Sequence, residues 1–479
     1  MNNHALFIGV DIGTQGIRCV AVDETGNVIA VEKHAFTLDL DEGPKKEQHP
    51  DLWILNTFSL LKRLTDELKF KGKLNNLVAL SVSSTSGTVI PLDGSGIPLH
   101  PAIMYHDRRA ESAAVMCNEA SKRSGHSTKF NASYGLPKIK WFHDQFPDKA
   151  GRIKYWAHAA DYVIGCLTGR WGVTDYTNAL KTGYDLESVQ WPVYISELDI
   201  DFSLLPDVTF PGDIIGRVSR SVAEKTGLPE QLKVTAGLTD GCASQFAAGA
   251  ISPGMWNTTI GTTMVIKGVT NKPPADPEGR VYSHKHPDGF WMPGGASNTG
   301  AIWIRQYIED MNDLNQSAEA LFPTGTYSYP LNGKGERFPF QHAEATGFDH
   351  PDLSREALYT SRLEGVGYLE RMSFELIADL SGEQINEVYT AGGGSNSFAW
   401  LKIRSNILNK PVIKMKYTDG AVGVAIIAAS RTRFNSLQEA GKYMLLKETI
   451  IEPDIATGRK FEEYYQNFVE IMGERGYKL

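Results

Sequence analysis

The sequence has few cysteines, no long apolar run and no excess of basic residues. Its four cysteines, Cys19, Cys117, Cys166 and Cys242, lie far apart without a CxxC pair, which argues against a zinc site or a disulfide framework. No apolar run approaches the roughly 20 residues that are needed to cross a bilayer, and the first residues lack the basic start of a signal peptide. We therefore expect a cytoplasmic protein with no membrane partner.

Basic residues are outnumbered by acidic ones. The chain has 48 Lys and Arg against 56 Asp and Glu, which gives a net charge of -8. Proteins that bind nucleic acid draw most of their affinity from clustered Lys and Arg, so we expect no nucleic-acid partner. With 479 residues, the chain is too long for one ordinary hydrophobic core. The sequence indicates two or more domains and a small-molecule partner.

Apolar runs and helical periodicity alternate along the chain, which is typical of the α/β class. Six apolar residues recur at spacings of three and four over 51–68 and predict an amphipathic helix. A strand at 233–236 is followed by an Ala-rich helix over 242–250. Further apolar runs predict strands over 7–10, 17–22, 28–31 and 77–82.

A turn rich in Gly and Thr separates two predicted strands in each half of the chain. The first turn is Asp11-Ile12-Gly13-Thr14-Gln15-Gly16, and the second, Ile260-Gly261-Thr262, repeats its central residues. Glycine adopts positive φ and leaves backbone N–H groups open to an anion. One such turn is common in hairpins, and Asp11 alone is an ordinary turn former. The repetition favours two turns that hold one polyphosphate.

A third Gly-rich segment spans 388–408, where a strand is followed by three glycines and an amphipathic helix. Glycines there would let a flat or bulky ligand approach the backbone closely. Ser395 or Asn396 can cap the helix. The segment has no GxGxxG pattern, and the chain has no GxxxxGK[ST] loop. Nucleotide binding would therefore use another architecture.

These three segments, in this order, resemble the actin-like ATPase (ribonuclease H-like) fold and, within it, the FGGY carbohydrate kinases. The resemblance covers nearly the whole chain and is carried by DIGTQGIR, GLTDGCASQFAAGAISPGMWNTTIGTT and TAGGGSNSFAW. It implies two α/β domains around an interdomain cleft: residues 1–247 as a sugar-binding N-terminal domain and 248–435 as an ATP-binding C-terminal domain. Residues 436–479 would form a C-terminal helical segment.

The resemblance also implies an activity. Within the family, SSTSGTVI, DYTNALKTGYDL and GKGERFPF are most similar to the D-ribulose kinases. We therefore expect ATP-dependent phosphorylation of a ketopentose, D-ribulose to D-ribulose 5-phosphate, with ATP and Mg²⁺ as cofactors. The protein would be a monomer or a homodimer.

The implied catalytic base is Asp240, which would accept the proton of the attacking sugar hydroxyl; an N-cap of the following helix is the alternative. Asp11 would face the γ-phosphate and its magnesium. The sugar would contact Asp11, Ser86, Asp107 and Asp240, although Asp107 could instead pair with Arg109. The implied ATP-binding residues are Gly13, Thr14, Gly16, Gly261, Thr262, Gly300, Gly393, Gly394 and Ser397.

Several alternatives stay open. Xylulose kinases typically have Met-His-Gly in place of Thr85-Ser86-Gly87, and glycerol kinases have an Arg-Glu pair, which favours ribulose without excluding xylulose or another polyol or ketose. A non-sugar actin-like ATPase would not need an acid such as Asp240. A sugar-responsive regulator would need a DNA-binding module, and the first strand begins too near the start of the chain for one.

Two further patterns have structural interpretations. His284 and His286, two residues apart on a strand, are more often solvated than metal-bound. The last stretch, from Lys460, predicts a helix with one apolar face made of Phe461, Tyr464, Phe468 and Met472.

Overall fold

The computed structural model describes residues 4–36, 43–126 and 128–479. The chain divides into two compact units. The first comprises Met1–Ala247 and Asp419–Met444, and the second comprises Ala248–Thr418 and Leu445–Leu479. Segment 419–435, which the sequence analysis placed in the second domain, thus belongs to the first unit. The reason is its helix, whose residues are all buried, so that it lies inside the core of that unit.

The strands of the first unit are β1 (Leu6–Gly13), β2 (Gly16–Asp23), β3 (Val28–Ala35), β4 (Glu47–Gln48), β5 (Leu77–Ser84), β6 (Ile90–Leu92), β7 (Ala102–Ile103), β8 (Tyr155–Ala157), β9 (Val173–Asp175), β10 (Asp207–Thr209), β11 (Ile214–Arg217), β12 (Lys233–Thr235) and β13 (Leu238–Thr239). Those of the second unit are β14 (Met255–Ile260), β15 (Met264–Gly268), β16 (Tyr282–Lys285), β17 (Trp291–Ser297), β18 (Tyr329–Glu336), β19 (His342–Phe348), β20 (Glu387–Ala391), β21 (Val412–Met415) and β22 (Lys447–Ile451).

The helices, in chain order, are α1 (Pro50–Phe70), α2 (Glu111–Arg123), α3 (Gly135–Gln145), α4 (Pro147–Ala150), α5 (Ala159–Thr168), α6 (Tyr176–Ala179), α7 (Arg220–Thr226), α8 (Asp240–Ala247), α9 (Met311–Leu321), α10 (Arg355–Ser381), α11 (Phe398–Leu408), α12 (Gly420–Ser430), α13 (Leu437–Met444) and α14 (Ile455–Glu474). Within the described ranges, no helix has both the length and the apolar character to cross a membrane.

The first unit is built on a seven-stranded mixed sheet. Its order is β11-β12-β5-β1-β2-β3, and β13 pairs with the far end of β5. Strands β1, β12 and β13 all run parallel to β5, because a crossover containing helices separates them along the chain. Parallel strands bring their carboxyl ends to one edge, where ligands bind in open α/β sheets. We call this edge, formed by the ends of β1, β5 and β13, the acid edge.

The second unit has its own seven-stranded sheet, in the order β16-β17-β15-β14-β20-β21-β22. Strands β14 and β20 are parallel, so the turn after β14 and the glycines after β20 lie at the same edge. Large buried side chains fill the core between this sheet and the long helices α10 and α11, among them Trp256, Trp400 and Tyr368. This packed core supports the Gly-rich segments.

The predicted strands and helices are confirmed, with three corrections. Helix α8 spans Asp240–Ala247 and not 242–250. Helix α11 is capped by Ser397, whose Oγ accepts the N–H of Trp400 at 3.2 Å, and not by Ser395 or Asn396, which lie in a 3₁₀ turn. In α14 the second inward residue is Tyr465 and not Tyr464; Tyr465 is buried and its hydroxyl donates to the Glu375 carboxylate. All four cysteines are free thiols.

Candidate active site

Asp11 lies near the end of β1, at the acid edge. The register of the parallel pair places it beside Ser83 of β5, whose Oγ donates to Asp11 Oδ1 at 2.5 Å. The neighbouring strand therefore fixes the orientation of the carboxylate. Ser83 was not identified from the sequence, because strand register is not visible there.

The charge of Asp11 is only partly compensated. Burial raises the pKa of its carboxyl to about 6; the hydrogen bond from Ser83 and the charge of Arg18 oppose this increase, and the nearby charge of Asp240 adds to it. An acid that is buried beside a second acid favours its protonated form. A bound cation at this point would stabilise the ionised carboxylate.

Asp240 follows β13, which pairs with Ser83 and Ser84 of β5. It is the first residue of α8, and its Oδ1 accepts the N–H of Gly241 at 2.6 Å. The side chain is half-buried. A helix N-terminus favours a negative charge, so this position suits a carboxylate. Asp240 thus occupies the first helical position, and the N-cap position lies before it.

The start of α12 completes the surroundings of Asp11 and was missed from the sequence. A Cβ on Gly420 would lie 3.0 Å from Asp11 Oδ2, so only glycine lets this helix approach the carboxylate so closely. The preceding residue, Asp419, caps the helix by accepting the N–H of Ala421 at 3.0 Å and forms an ion pair with Arg18. An Asp-Gly pair before a wholly apolar helix was the available signal.

A cavity of about 780 Å³ opens in front of Asp11 in the first unit. Arg18 and Lys33 bring positive charge to its wall, and the predicted phosphate turn forms another part of it. Cationic side chains together with a Gly-rich turn suit an anion. The lining residues are Asp11, Gly13, Thr14, Gln15, Gly16, Ile17, Arg18, Lys33, His34, Ala35 and Tyr105.

The two glycines of this turn differ in what the fold requires. A Cβ on Gly13 would lie 3.6 Å from its nearest neighbour, an ordinary contact, and its φ is not positive. A Cβ on Gly16 would collide with the carbonyl of His34 on β3. The fold therefore explains Gly16 by strand packing. Gly13 has no such explanation, which agrees with a turn that a ligand approaches.

Ser86 has unused hydrogen-bonding capacity. Its Oγ is buried and makes no hydrogen bond to the residues that the structure describes. The flanking threonines, Thr85 and Thr88, satisfy each other through their hydroxyls at 3.0 Å. An unpaired buried hydroxyl costs free energy unless a ligand or water pairs with it. This geometry suits the predicted contact with a sugar hydroxyl.

Asp107 pairs with Arg109, which is the second of the two alternatives predicted for it. Its side chain is 1% exposed, and the guanidinium of Arg109 donates to both carboxylate oxygens at 2.8–3.1 Å. The backbone N–H groups of Lys46 and Arg109 add two more hydrogen bonds, at 2.7 and 3.0 Å. With its lone pairs occupied, Asp107 stabilises this loop through Arg109, and its contact with the substrate stays a prediction.

The second unit contains a cavity of about 410 Å³ at the edge where β14 and β20 end. Five of the predicted ATP-binding residues line it: Gly261, Thr262, Gly393, Gly394 and Ser397. The other lining residues are mainly apolar and would cover a flat ring: Ile260, Ala301, Ile302, Ile304, Arg305, Ile308, Met311, Asn312, Asn315, Tyr359, Asn396 and Trp400.

The glycines of the second unit also differ in whether the fold leaves space for a side chain. A Cβ on Gly261 would meet its nearest neighbour only at 4.0 Å, and one on Gly393 would have no neighbour within 4 Å. A Cβ on Gly300 would lie 2.5 Å from the backbone of Thr263, and one on Gly394 2.9 Å from Ile260. Gly300, which does not line the cavity, is thus required by packing.

Asn315 was not identified from the sequence. Its Oδ1 accepts the hydroxyl of Ser397 at 2.7 Å and that of Tyr359 at 3.1 Å. Because both donors reach the oxygen, the orientation of the amide is set. The Nδ2 group keeps its two N–H donors for a ligand in the cavity. Asn315 lies in the lining of the cavity beside the polar residues Arg305, Asn312 and Asn396.

Comparison with known proteins finds matches over most of the chain. Residues 6–247 match the N-terminal domain of the FGGY family of carbohydrate kinases, and residues 256–431 match its C-terminal domain. A xylulose kinase from Lactococcus lactis subsp. lactis is 26% identical over 486 residues, 97% of this chain and 96% of its own. A gluconokinase from Bacillus subtilis is 26% identical over 459 residues, 89% of this chain and 87% of its own. The solved structure of a xylulose kinase from Rhodospirillum rubrum has a TM-score of 0.82 at 24% identity and covers 98% of both chains.

Proposed function

The chain belongs to the FGGY family of carbohydrate kinases and is an ATP-dependent sugar kinase with the two-domain α/β fold of the actin-like ATPase class; from this premise we propose that it phosphorylates a ketopentose. The observation that carries the proposal is the acid edge, where Asp11 and Asp240 flank a strand end whose Ser86 hydroxyl lacks a partner. Two acids and an unpaired hydroxyl match a polyhydroxylated acceptor of a phosphoryl group.

Two ketopentoses are candidates. The xylulose kinase relatives support D-xylulose. Thr85-Ser86-Gly87, which differs from the Met-His-Gly that is typical of xylulose kinases, supports D-ribulose. The prediction of D-ribulose from the sequence is therefore less well supported than its alternative. The two sugars differ in one hydroxyl, so the choice rests on one or two hydrogen bonds.

In this proposal Asp240 accepts the proton of the attacking hydroxyl. Its position at the start of α8 suits a carboxylate, and the hydrogen bond from the Gly241 N–H helps to orient it. Phosphoryl transfer needs in-line placement and charge stabilisation more than covalent help from the protein, so orientation is the main contribution of this residue. Ser86 would hold a second hydroxyl of the sugar.

Magnesium fits the acid edge as a partner of ATP. The pKa of Asp11 is raised chiefly by burial, and Asp240 adds to the increase, so the pair would gain from a divalent cation. Magnesium commonly uses one or two carboxylates together with phosphate oxygens and water, which is the donor set that Asp11 and a bound nucleotide would offer. When bound, it would neutralise charge on the phosphates.

The second unit would bind the nucleotide. Its apolar cavity would hold the base against Ile304 and Ile308, with Asn315 Nδ2 as a donor. The backbone at Gly261 and Gly393 is open to close approach by phosphates or ribose. These assignments give the two units different ligands.

The proposal is tested by ADP release with D-xylulose, D-ribulose, L-ribulose, gluconate and glycerol as acceptors. We expect the highest kcat/KM with one of the two D-ketopentoses. A highest value with gluconate or glycerol would contradict the ketopentose proposal. An ATPase rate that is the same with and without every sugar would instead favour a non-sugar ATPase.

A further inference from the structure

A buried chain of hydrogen bonds ends at the residue before Asp240. Asp175, 1% exposed, accepts the Oγ1 hydroxyl of Thr177 at 2.5 Å. Thr177 Oγ1 in turn accepts the backbone N–H of Thr239 at 2.9 Å. Thr239 is the last residue of β13, and the chain continues directly into Asp240. The link thus connects β9 and α6 to the turn that carries the candidate base.

The chemistry of this link requires a hydroxyl. An ionised carboxylate only accepts, so the Thr177 proton is directed at Asp175 and a lone pair is left for the Thr239 N–H. The carboxylate is itself anchored by the N–H groups of Thr177 and Asn178 and by Asn178 Nδ2. An apolar side chain at 177 would leave a buried donor and a buried acceptor unpaired.

Strand pairing gives this turn little other support. Strand β13 has two residues, and it pairs with β5 through Leu238 and Thr239 at the end of that strand. A short edge of this kind does not by itself fix the direction of the following carboxylate. The side-chain bond from Thr177 adds a constraint at the amide next to Asp240.

We propose that Thr177 is a positioning residue for Asp240: together with Asp175 it holds the Thr239 amide and so sets the place of the carboxylate that accepts the sugar proton. The inference rests on the proposed function, since it gives Asp240 the role of base. Thr177 acts through the backbone and does not itself contact the sugar.

The test compares Thr177→Val, which keeps the shape but loses both hydrogen bonds, with Thr177→Ser, which keeps the hydroxyl. We expect kcat of Thr177→Val to fall by tenfold or more, while KM for sugar and ATP changes by less than about threefold. Thr177→Ser should stay within about threefold of the parent. Equal losses in both variants would overturn the proposal.

Thr226→Val is the matched control. Thr226 is another buried threonine of the first unit, and its Oγ1 donates to the Val222 carbonyl at 2.7 Å and accepts the Leu228 N–H at 3.3 Å. It lies at the end of α7, outside the acid edge. Its substitution removes a similar pair of bonds, so we expect kcat within about twofold of the parent. A loss as large as that of Thr177→Val would show a general effect of buried hydroxyls and would overturn the proposal.

A double-mutant cycle separates positioning from a merely structural role. In an Asp240→Asn background, Thr177→Val should reduce kcat by no more than about twofold further, because the group that it positions is already lost. The same fold-loss in both backgrounds would contradict the proposal.

Hydrogen exchange of the Thr239 amide provides a readout that does not depend on catalysis. We expect Thr177→Val to abolish its protection and Thr177→Ser to retain it. Unchanged protection in Thr177→Val overturns the proposal even if the protein proves to be a sugar kinase. If no sugar is phosphorylated by the parent, the proposed function fails, and with it the catalytic part of this inference, whereas exchange still decides whether Thr177 holds the turn.

Discussion

The acid edge of the first unit and the cavity of the second unit use opposite means to prepare for a ligand. At the acid edge, charged side chains are held in place by other side chains, as Asp11 is by Ser83. In the cavity of the second unit, open backbone at Gly261 and Gly393 lies beside an apolar wall. The acid edge is formed by oriented polar side chains, whereas the cavity of the second unit is accessible because its glycines have no side chains. Under the proposed function, mutations in the two regions should therefore affect chemistry and nucleotide binding separately.

Each region contains one glycine that has space for a side chain and one that has none. A Cβ on Gly13 or Gly261 would make only ordinary contacts, whereas one on Gly16 or Gly300 would collide with neighbouring backbone. A substitution at an open glycine changes what a ligand meets, and one at a packed glycine changes the fold. The same residue type therefore has two meanings that the structure distinguishes.

The largest effect is expected at the acid edge. Asp240→Asn keeps the size of the side chain but removes the proton acceptor, so kcat should fall by roughly 10²- to 10⁴-fold, the range for general base catalysis. The unfolding temperature should change little. Activity is measured with the best ketose on protein whose fold is checked by circular dichroism. Turnover within about threefold of the parent, less than about 1 kcal/mol in barrier, would remove Asp240 as the base.

A second effect concerns the partly compensated charge of Asp11. Burial is the main reason that the pKa of Asp11 rises from 3.8 to about 6. The folded protein therefore binds this proton more tightly than the unfolded chain does. The parent should therefore lose stability as pH rises from about 4 to above 6. Asp11→Asn, which cannot ionise, should be more stable than the parent at pH 8 by up to about 3 kcal/mol.

This difference should shrink as pH falls below 6, where Asp11 is protonated in the folded parent. Unfolding is followed calorimetrically from pH 4 to 8 without divalent ions. A constant difference across that range would show that the charge of Asp11 is not responsible. Added Mg²⁺ at pH 8 should stabilise the parent more than Asp11→Asn.

The smallest effect sharpens the comparison at the glycines. Gly261→Val should weaken the binding of a non-hydrolysable ATP analogue by about tenfold, or 1.4 kcal/mol, at an unchanged unfolding temperature. Gly300→Val should instead lower the unfolding temperature, because its side chain would collide with the backbone of Thr263. Both are measured by titration calorimetry and thermal unfolding. Unchanged affinity in Gly261→Val would contradict a nucleotide at this turn.

Local features of the chain were predictable because they depend on neighbours in sequence. Apolar runs marked the strands at both Gly-rich turns, and Asp11 and Asp240 followed from those turns and from the resemblance to the family. The face of α14 was displaced by one residue, at Tyr465, because a stripe with a spacing of three or four tolerates either choice until its partner, Glu375, is known.

Other parts of the site depend on contacts between distant segments. Ser83 is placed beside Asp11 by strand register, Gly420 by the packing of a helix some four hundred residues later, and Asn315 by two hydroxyls from other helices. No local pattern encodes these distances. The identity of the ketose depends on the same kind of detail, namely the direction of single hydrogen bonds.

The discontinuity of the first unit has a consequence for synthesis on the ribosome. Helix α12 is buried along its whole length, and its Ala421 carbonyl lies so close to β1 that a side chain on Gly9 would collide with it. Strands β1 and β5 emerge more than three hundred residues before this helix. The nascent first unit must therefore wait, with an apolar face uncovered, until nearly the whole chain has been translated, and during that interval it would be a natural client for a chaperone.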